Sequence, residues 1–286
     1  MTANDPAPAA SALRRPRLDR RVLLLAAAYL AAVIAGSLLL PDELGADWRK
    51  SFYPAARLLL QGQDPYQVDQ FLLAPWSLAV FVPLALLPAR AGTAVLLVTG
   101  LCVYAYVAVR LKASPIGLAA ILLSPQILHN LINANVDWLA LLGFVLPPQV
   151  GLFFLALKPQ IGLPLALFWG VEALREKRLL RTFAPFTALL LVSFGLFGLW
   201  PLKFSAVQPE YNASLWPASL PFGVVLLISA LYRRRERLAQ AIGPFFSPHV
   251  MFHSWSTLLY ALAPDTVELV CAVVVSWAFF IWSASS

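Results

Sequence analysis

The carboxylate of Asp47 stands shortly after the first long apolar run of the chain, which extends from 22 to 40. The segment that follows it is aromatic and basic and reads DWRKSFYPAAR over 47–57. An apolar run of this length can cross a bilayer, because a spanning helix needs about 20 apolar residues. Asp47 is therefore expected at the membrane surface, where a carboxylate can take the proton of a substrate hydroxyl.

Further polar residues interrupt or end the later apolar runs. Burying ionisable groups in a bilayer is costly, so residues of this kind are candidates for a functional site. They include His129, Asn133, Asn135, Asp137, Lys158, Gln160, Tyr211, His249 and His253.

Several of these residues also have a purely structural interpretation. Asp47 could be a helix cap or a surface carboxylate, and Asp137 could cap a helix predicted over 137–147. Lys158 could extend its ammonium to the membrane interface. His129 is typical of a hydrogen-bonded structural histidine.

His249 and His253 are four residues apart and could share a helix face as metal ligands. No third ligand stands near them, so we predict no metal site. Tryptophans near the ends of apolar runs, such as Trp48 and Trp138, are expected in the belt at the membrane interface.

The composition excludes a soluble domain, because 60% of the 286 residues are hydrophobic and only 12% are charged. The net charge of +7 does not indicate nucleic acid binding, since the basic residues cluster at the ends of apolar runs. Cys102 and Cys271 lie inside apolar runs, so no disulfide is expected. We predict a disordered, basic cytoplasmic tail over 1–20 and a single transmembrane domain over 21–286.

The hydropathy pattern predicts an all-α, polytopic bundle of about 10–12 transmembrane or partly spanning helices. Most Lys and Arg residues fall in four clusters, and all four face the cytoplasm if the proline-rich run 71–88 does not cross. The candidate residues then share the opposite face. This arrangement predicts a multi-pass protein of the bacterial plasma membrane with a cytoplasmic N-terminus. The basic clusters span 14–21, 110–112, 175–181 and 233–237.

Three segments resemble motifs of the glycosyltransferase 87 family, whose members are GT-C membrane enzymes similar to polyprenol-phosphate-mannose-dependent mannosyltransferases. The first-loop signature corresponds to Asp47–Arg57 and Gly62–Tyr66, the mid-chain lysine-proline motif to Lys158–Gln160, and the late serine-proline loop to Ser247–His249. The chain departs from the family at 133–135, where members usually carry a Gly-Gln pair. Most members are also considerably longer.

The resemblance implies a GT-C-like bundle whose first extracytoplasmic loop carries interfacial helices. It also implies a polyprenyl-phosphate sugar donor, an acceptor hydroxyl on a lipid or glycan, and Asp47 as the catalytic base. Such a reaction needs fixed cations for the departing phosphate, and Lys158 and Arg57 are the best candidates. The sequence has no glycine-rich nucleotide loop and no acidic cluster for a metal-bound donor, so no cofactor is expected.

The remaining candidates are expected to hydrogen-bond the substrate: Tyr53, Asn133, Asn135, Asp137, Gln160, Tyr211, His249 and His253. Two other functions stay open. A small lipid or sugar transporter would also have broken helices, but its site should lie near the midplane of the bilayer. A non-catalytic subunit of a membrane complex could derive from such an enzyme.

Overall fold

The computed structural model describes residues 20–206 and 211–285, and it contains helices and no strands within these ranges. Most of the predicted tail over 1–20 lies outside the described residues. The helices are α1 (Arg20–Leu39), α2 (Tyr53–Leu60), α3 (Leu78–Leu84), α4 (Ala89–Arg110), α5 (Pro115–Leu122), α6 (Pro125–Ile132), α7 (Asp137–Leu142), α8 (Pro148–Leu155), α9 (Pro159–Arg175), α10 (Leu179–Phe197), α11 (Leu220–Arg233), α12 (Glu236–Ala241), α13 (Gly243–Phe246), α14 (Ser256–Ala261) and α15 (Thr266–Ser285).

Four of these helices, α1, α4, α10 and α15, are long and apolar enough to cross a membrane, and the bent pair of α5 and α6 is a possible fifth span. No residue of α1 is buried in the bundle, and its leucines and valines are largely exposed. An apolar surface of this kind is suited to lipid. The other described helices are shorter, so fewer segments span the full hydrocarbon core than the hydropathy pattern suggested.

The predicted continuous run over 115–134 is wrong in one respect, because it breaks into α5 and α6 with a bend of 49°. The break occurs at Ser124 and Pro125. Pro125 has no N–H to continue the helix, and the Ser124 hydroxyl accepts a hydrogen bond from the Ile127 N–H at 3.4 Å, which caps the new helix. The run predicted over 137–147 is also shorter, because α7 ends at Leu142 and a 3-10 turn follows it.

Helices α1 and α4 pack in antiparallel orientation. The Tyr29 hydroxyl lies 2.7 Å from that of Thr99, and the Arg90 Nε donates to the Leu40 carbonyl at 2.8 Å. The loop between the two helices therefore starts and ends at the same end of the bundle. Helix α3 in this loop has seven residues and covers about 10 Å. This geometry agrees with the prediction that the run 71–88 does not cross.

Three of the four basic clusters meet at one end of the bundle, which we call the basic end. Glu172 near the end of α9 pairs with Arg175 and with Arg234 after α11. Arg237 lies 3.6 Å from Asp265, directly before α15. The hydroxyl of Thr266, the first residue of α15, is hydrogen-bonded to that of Ser114, which caps α5 just after the cluster 110–112. The opposite end carries Asp47, and we call it the Asp47 end.

Candidate functional site

Asp47 is half-buried where the loop after α1 meets the turn after α6. Its carboxylate Oδ2 accepts a hydrogen bond from the Asn135 side-chain amide at 2.6 Å, and its backbone N–H donates to the Asn133 carbonyl at 3.0 Å. The Gly45 N–H donates to the Ile132 carbonyl at 2.8 Å. These three bonds join the first loop to the 132–135 turn, so both predicted asparagines contact Asp47.

Trp48 holds the segment that follows Asp47 against α4. Its side chain is 0% exposed, and its indole Nε1 donates to the Ala89 carbonyl at 2.9 Å. The interpretation of Trp48 as an interface tryptophan is therefore wrong, as it is for the buried Trp138. The Tyr53 ring packs edge-on against Trp48 with the ring centroids 5.4 Å apart. Trp48 and Tyr53 thus form part of the packing that fixes the position of Asp47.

Gly92 on α4 leaves the space that the Trp48 indole occupies. A Cβ at this glycine would lie 2.5 Å from the Trp48 Cζ2. We expect Gly92→Ala to lower the free energy of unfolding by about 1–3 kcal/mol, because overpacking forces a buried ring to move. Thermal unfolding in detergent measures this loss.

Gly195 in α10 provides a matched control, since a Cβ there meets nothing within 4 Å. We expect Gly195→Ala to leave the unfolding temperature unchanged or to raise it slightly, because alanine has the higher helix propensity. Equal stability of the two variants would contradict the proposed role of the Trp48 contact.

Asp137 stands at the centre of a buried polar cluster. Its side chain is 0% exposed; Oδ1 lies 3.2 Å from the Lys158 ammonium, and Oδ2 lies 2.7 Å from the His253 Nδ1. The Ser254 hydroxyl donates to the same Oδ2 at 2.8 Å. The capping interpretation of Asp137 is wrong, because Val136 occupies the cap position and the carboxylate is bound by these partners. We call these four residues, Asp137, Lys158, His253 and Ser254, the Asp137 cluster.

Lys158 does not extend to the membrane interface, as one interpretation held. It is 8% exposed, and its ammonium is directed at Asp137. The cation proposed for a phosphate is thus already balanced by a carboxylate. Sequence reasoning did not identify Ser254, which no motif distinguishes from the other serines of the chain.

The two late histidines do not share a helix face. His249 lies in the loop before the 3-10 helix Phe252–Trp255, which contains His253. The His253 ring stacks on His129 with the ring centroids 5.7 Å apart. Burial and the positive charge of Lys158 lower the pKa of the half-buried His249, so its imidazole is neutral at pH 7 and can exchange hydrogen bonds with hydroxyl groups.

The loop that carries His249 is fastened to the segment after Tyr211. The Asn212 side chain donates to the Pro248 carbonyl at 2.8 Å, and the Ala213 N–H donates to the Val250 carbonyl at 2.7 Å. Tyr211 itself is exposed. The structure therefore places Tyr211 beside the late loop, but among residues 20–206 and 211–285 its side chain makes no hydrogen bond to the polar network.

Gln160 lies next to the late loop, in a groove of about 310 Å³ that Ser247 and Pro248 also line. Arg57 is exposed on α2, ten residues after Asp47. Lys203, another cation of the Asp47 end, pairs with Asp64 of the first loop. Of the two cations predicted for the phosphate, Arg57 is exposed, whereas Lys158 has a carboxylate partner.

One short segment joins these groups. Residues 133–137 carry the two asparagines that contact Asp47 and, two residues after Asn135, the carboxylate that contacts Lys158 and His253. Six of the predicted residues thus form a connected network, and His249 lies within reach of the charge of Lys158. The six are Asp47, Asn133, Asn135, Asp137, Lys158 and His253. The network offers one half-buried carboxylate beside neutral hydrogen-bonding groups, which suits proton abstraction from a hydroxyl.

In comparisons with protein-family models, with curated proteins and with solved structures, the chain matches none.

Proposed function

We propose that this protein is a membrane glycosyltransferase that moves a mannose-like sugar from a polyprenyl phosphate to an acceptor hydroxyl of a lipid or glycan. The observation that carries the proposal is the position of Asp47. Its carboxylate is half-buried and bonded to Asn135, on the segment that also bears Asp137. The resemblance of its surroundings to the first loop of the glycosyltransferase 87 family supports the same assignment, and with it a GT-C-like bundle.

The reaction in this proposal is a single inverting displacement. Asp47 takes the proton of the acceptor hydroxyl as the acceptor oxygen forms its bond to the anomeric carbon. The bond from that carbon to the phosphate oxygen breaks, and the polyprenyl phosphate leaves with the bonding electron pair. The Asn135 amide donates to the Asp47 carboxylate, which holds it in one orientation before the acceptor binds.

The departing phosphate gains charge and needs a cation or a hydrogen-bond donor. Arg57 is an exposed cation in the same loop as Asp47, and we assign it this role. Lys158 acts mainly as the counter-ion of Asp137, and only the charge that remains after this pairing can act on a substrate. Asn133, Gln160 and His249 are the groups assigned to the sugar hydroxyls.

Sugar transfer by the purified protein tests the proposal. The full chain in detergent micelles receives a polyprenyl-phosphate sugar with a radiolabelled sugar and a mixed membrane-lipid extract as the acceptor source. We expect label to move into a new lipid or glycan product. A folded protein that transfers no label would favour the non-catalytic subunit, and passage of the labelled lipid across liposomes without transfer would favour the transporter.

The proposed orientation places the basic end in the cytoplasm and the Asp47 end outside. We expect a cysteine at position 178 to resist a membrane-impermeant thiol reagent in intact cells, and a cysteine at position 212 to react. The background chain needs Cys102 and Cys271 replaced by serine, since both are exposed on the bundle surface. Labelling of position 178 from outside would reverse the orientation.

A further inference from the structure

A second groove runs along α9 on the side that faces α8 and α10. It has a volume of about 490 Å³, and its apolar lining extends from Pro159 to Leu174. This stretch of helix covers about 22 Å, whereas one leaflet of the hydrocarbon core is about 15 Å thick. The groove is therefore long enough for a whole acyl chain. Leu163 and Leu167, on its rim, are half exposed, so the groove is open at the outer surface of the bundle.

Part of the groove is deep because the residues that line it on α9 have small side chains. Gly162, Ala166 and Gly170 lie four residues apart on one face of α9. A Cβ at Gly170 would approach only the Phe183 ring, at 3.6 Å, so a larger side chain there would extend into the groove. This position can be used to fill the groove without disturbing the backbone.

The groove reaches the basic end of the bundle at the turn between α9 and α10. Leu174 and Leu179 line it on either side of this turn. Lys177 in the turn and Arg181 in the first turn of α10 are both exposed. Two cations thus stand at the mouth of an apolar groove.

Neither cation is balanced by a carboxylate of the part of the chain that the structure describes. Glu176 pairs with Arg178, and Glu172 pairs with the arginines of the basic end. Across residues 20–206 and 211–285, no carboxylate lies within ion-pair distance of Lys177 or Arg181. Within the described residues, the mouth of the groove therefore carries a positive charge that no carboxylate balances.

We propose that this groove binds one anionic membrane phospholipid, with an acyl chain along α9 and the headgroup phosphate on Lys177 and Arg181. The apolar lining of the groove contacts the acyl chain, and the two cations attract a headgroup with a net negative charge. A zwitterionic headgroup carries its own cation, which is repelled by Lys177 and Arg181, so its net electrostatic attraction to the site is weaker. This site is distinct from the Asp47 end, and it does not depend on the proposed transferase activity.

Native mass spectrometry of the full chain in detergent tests the site, with phosphatidylglycerol and phosphatidylcholine of identical acyl chains as probes. We expect the phosphatidylglycerol adduct to be roughly 10- to 30-fold tighter than the phosphatidylcholine adduct, from two cations near the headgroup. The double variant Lys177→Gln with Arg181→Gln should lose this preference. Gly170→Leu should weaken both adducts, because it fills the groove.

The double variant Arg110→Gln with Lys112→Gln is the matched control. It removes the same charge from the same end of the bundle, and Lys112 shares the positive φ of Lys177. The control should keep the full preference for phosphatidylglycerol. The proposal would be overturned if the wild type bound the two lipids equally, or if both double variants lost the preference equally. It would also be overturned if a polyprenyl phosphate displaced phosphatidylglycerol at equimolar concentration.

Discussion

Asp47→Asn is expected to lower the rate of sugar transfer by about 10²- to 10⁴-fold, the usual contribution of a positioned general base. An amide has the shape of a carboxylate but cannot accept the proton of the acceptor hydroxyl. The variant should still fold, because its side-chain oxygen can accept the Asn135 hydrogen bond and its backbone bond to Asn133 is unchanged. Initial rates with a radiolabelled donor measure the effect, and thermal unfolding checks the fold.

Asp42→Asn is the control for this experiment. Asp42 belongs to the same loop and pairs with Arg49 at 3.1 Å, but its side chain is largely exposed. The Asp42→Asn variant should transfer sugar at the wild-type rate. Wild-type turnover by a folded Asp47→Asn protein would remove Asp47 from the chemistry, and equal losses in both variants would indicate a general effect of charge in the loop.

The second large effect is expected in the Asp137 cluster. Asp137→Asn removes the carboxylate opposite Lys158 and leaves the ammonium buried without its counter-ion. We expect a loss of about 3–5 kcal/mol in the free energy of unfolding, as for other buried pairs that lose one partner. The asparagine oxygen can still accept from Ser254 and His253, so the change reports mainly on the charge.

Lys158→Met completes a double-mutant cycle with Asp137→Asn. The double variant should be less destabilised than the sum of the two single variants, because it leaves neither charge unpaired. The exposed pair of Asp64 and Lys203 is the control, and the same substitutions there should cost about 0–1 kcal/mol. Additive losses at Asp137 and Lys158 would show that the two charges are not coupled.

The sequence predicted the long helices well, because their signal is local. The first run was expected over 22–40 and α1 is Arg20–Leu39; the last was expected over 266–283 and α15 is Thr266–Ser285. Periodicity did not show the break at Ser124, since apolar residues stand on both sides of it, with Leu122 and Leu123 before it and Ile127 and Leu128 after it. A Ser-Pro pair that caps a new helix was the one local signal for this break.

The candidate residues were also identified by a local property, namely polarity within apolar surroundings. Their partners could not be identified in this way. The pairing of Lys158 with Asp137 could not be inferred in this way, because the two residues are distant in sequence and the local pattern around Asp137 predicted a helix cap, which the structure contradicts. Trp48 illustrates the same limit, because whether an indole near a helix end is buried depends on the glycine that faces it from another helix.

The Asp137 cluster also determines when the site can form during synthesis. Its carboxylate is 116 residues away from His253 along the chain, and Asp47 is 88 residues away from Asn135. Contacts over such separations form slowly, because long stretches of chain must be ordered first. A nascent chain that has inserted its first nine helices holds Asp137 and Lys158 but lacks both of the later partners of the carboxylate. The network at the Asp47 end therefore becomes complete only once the ribosome has made the residues that precede α14.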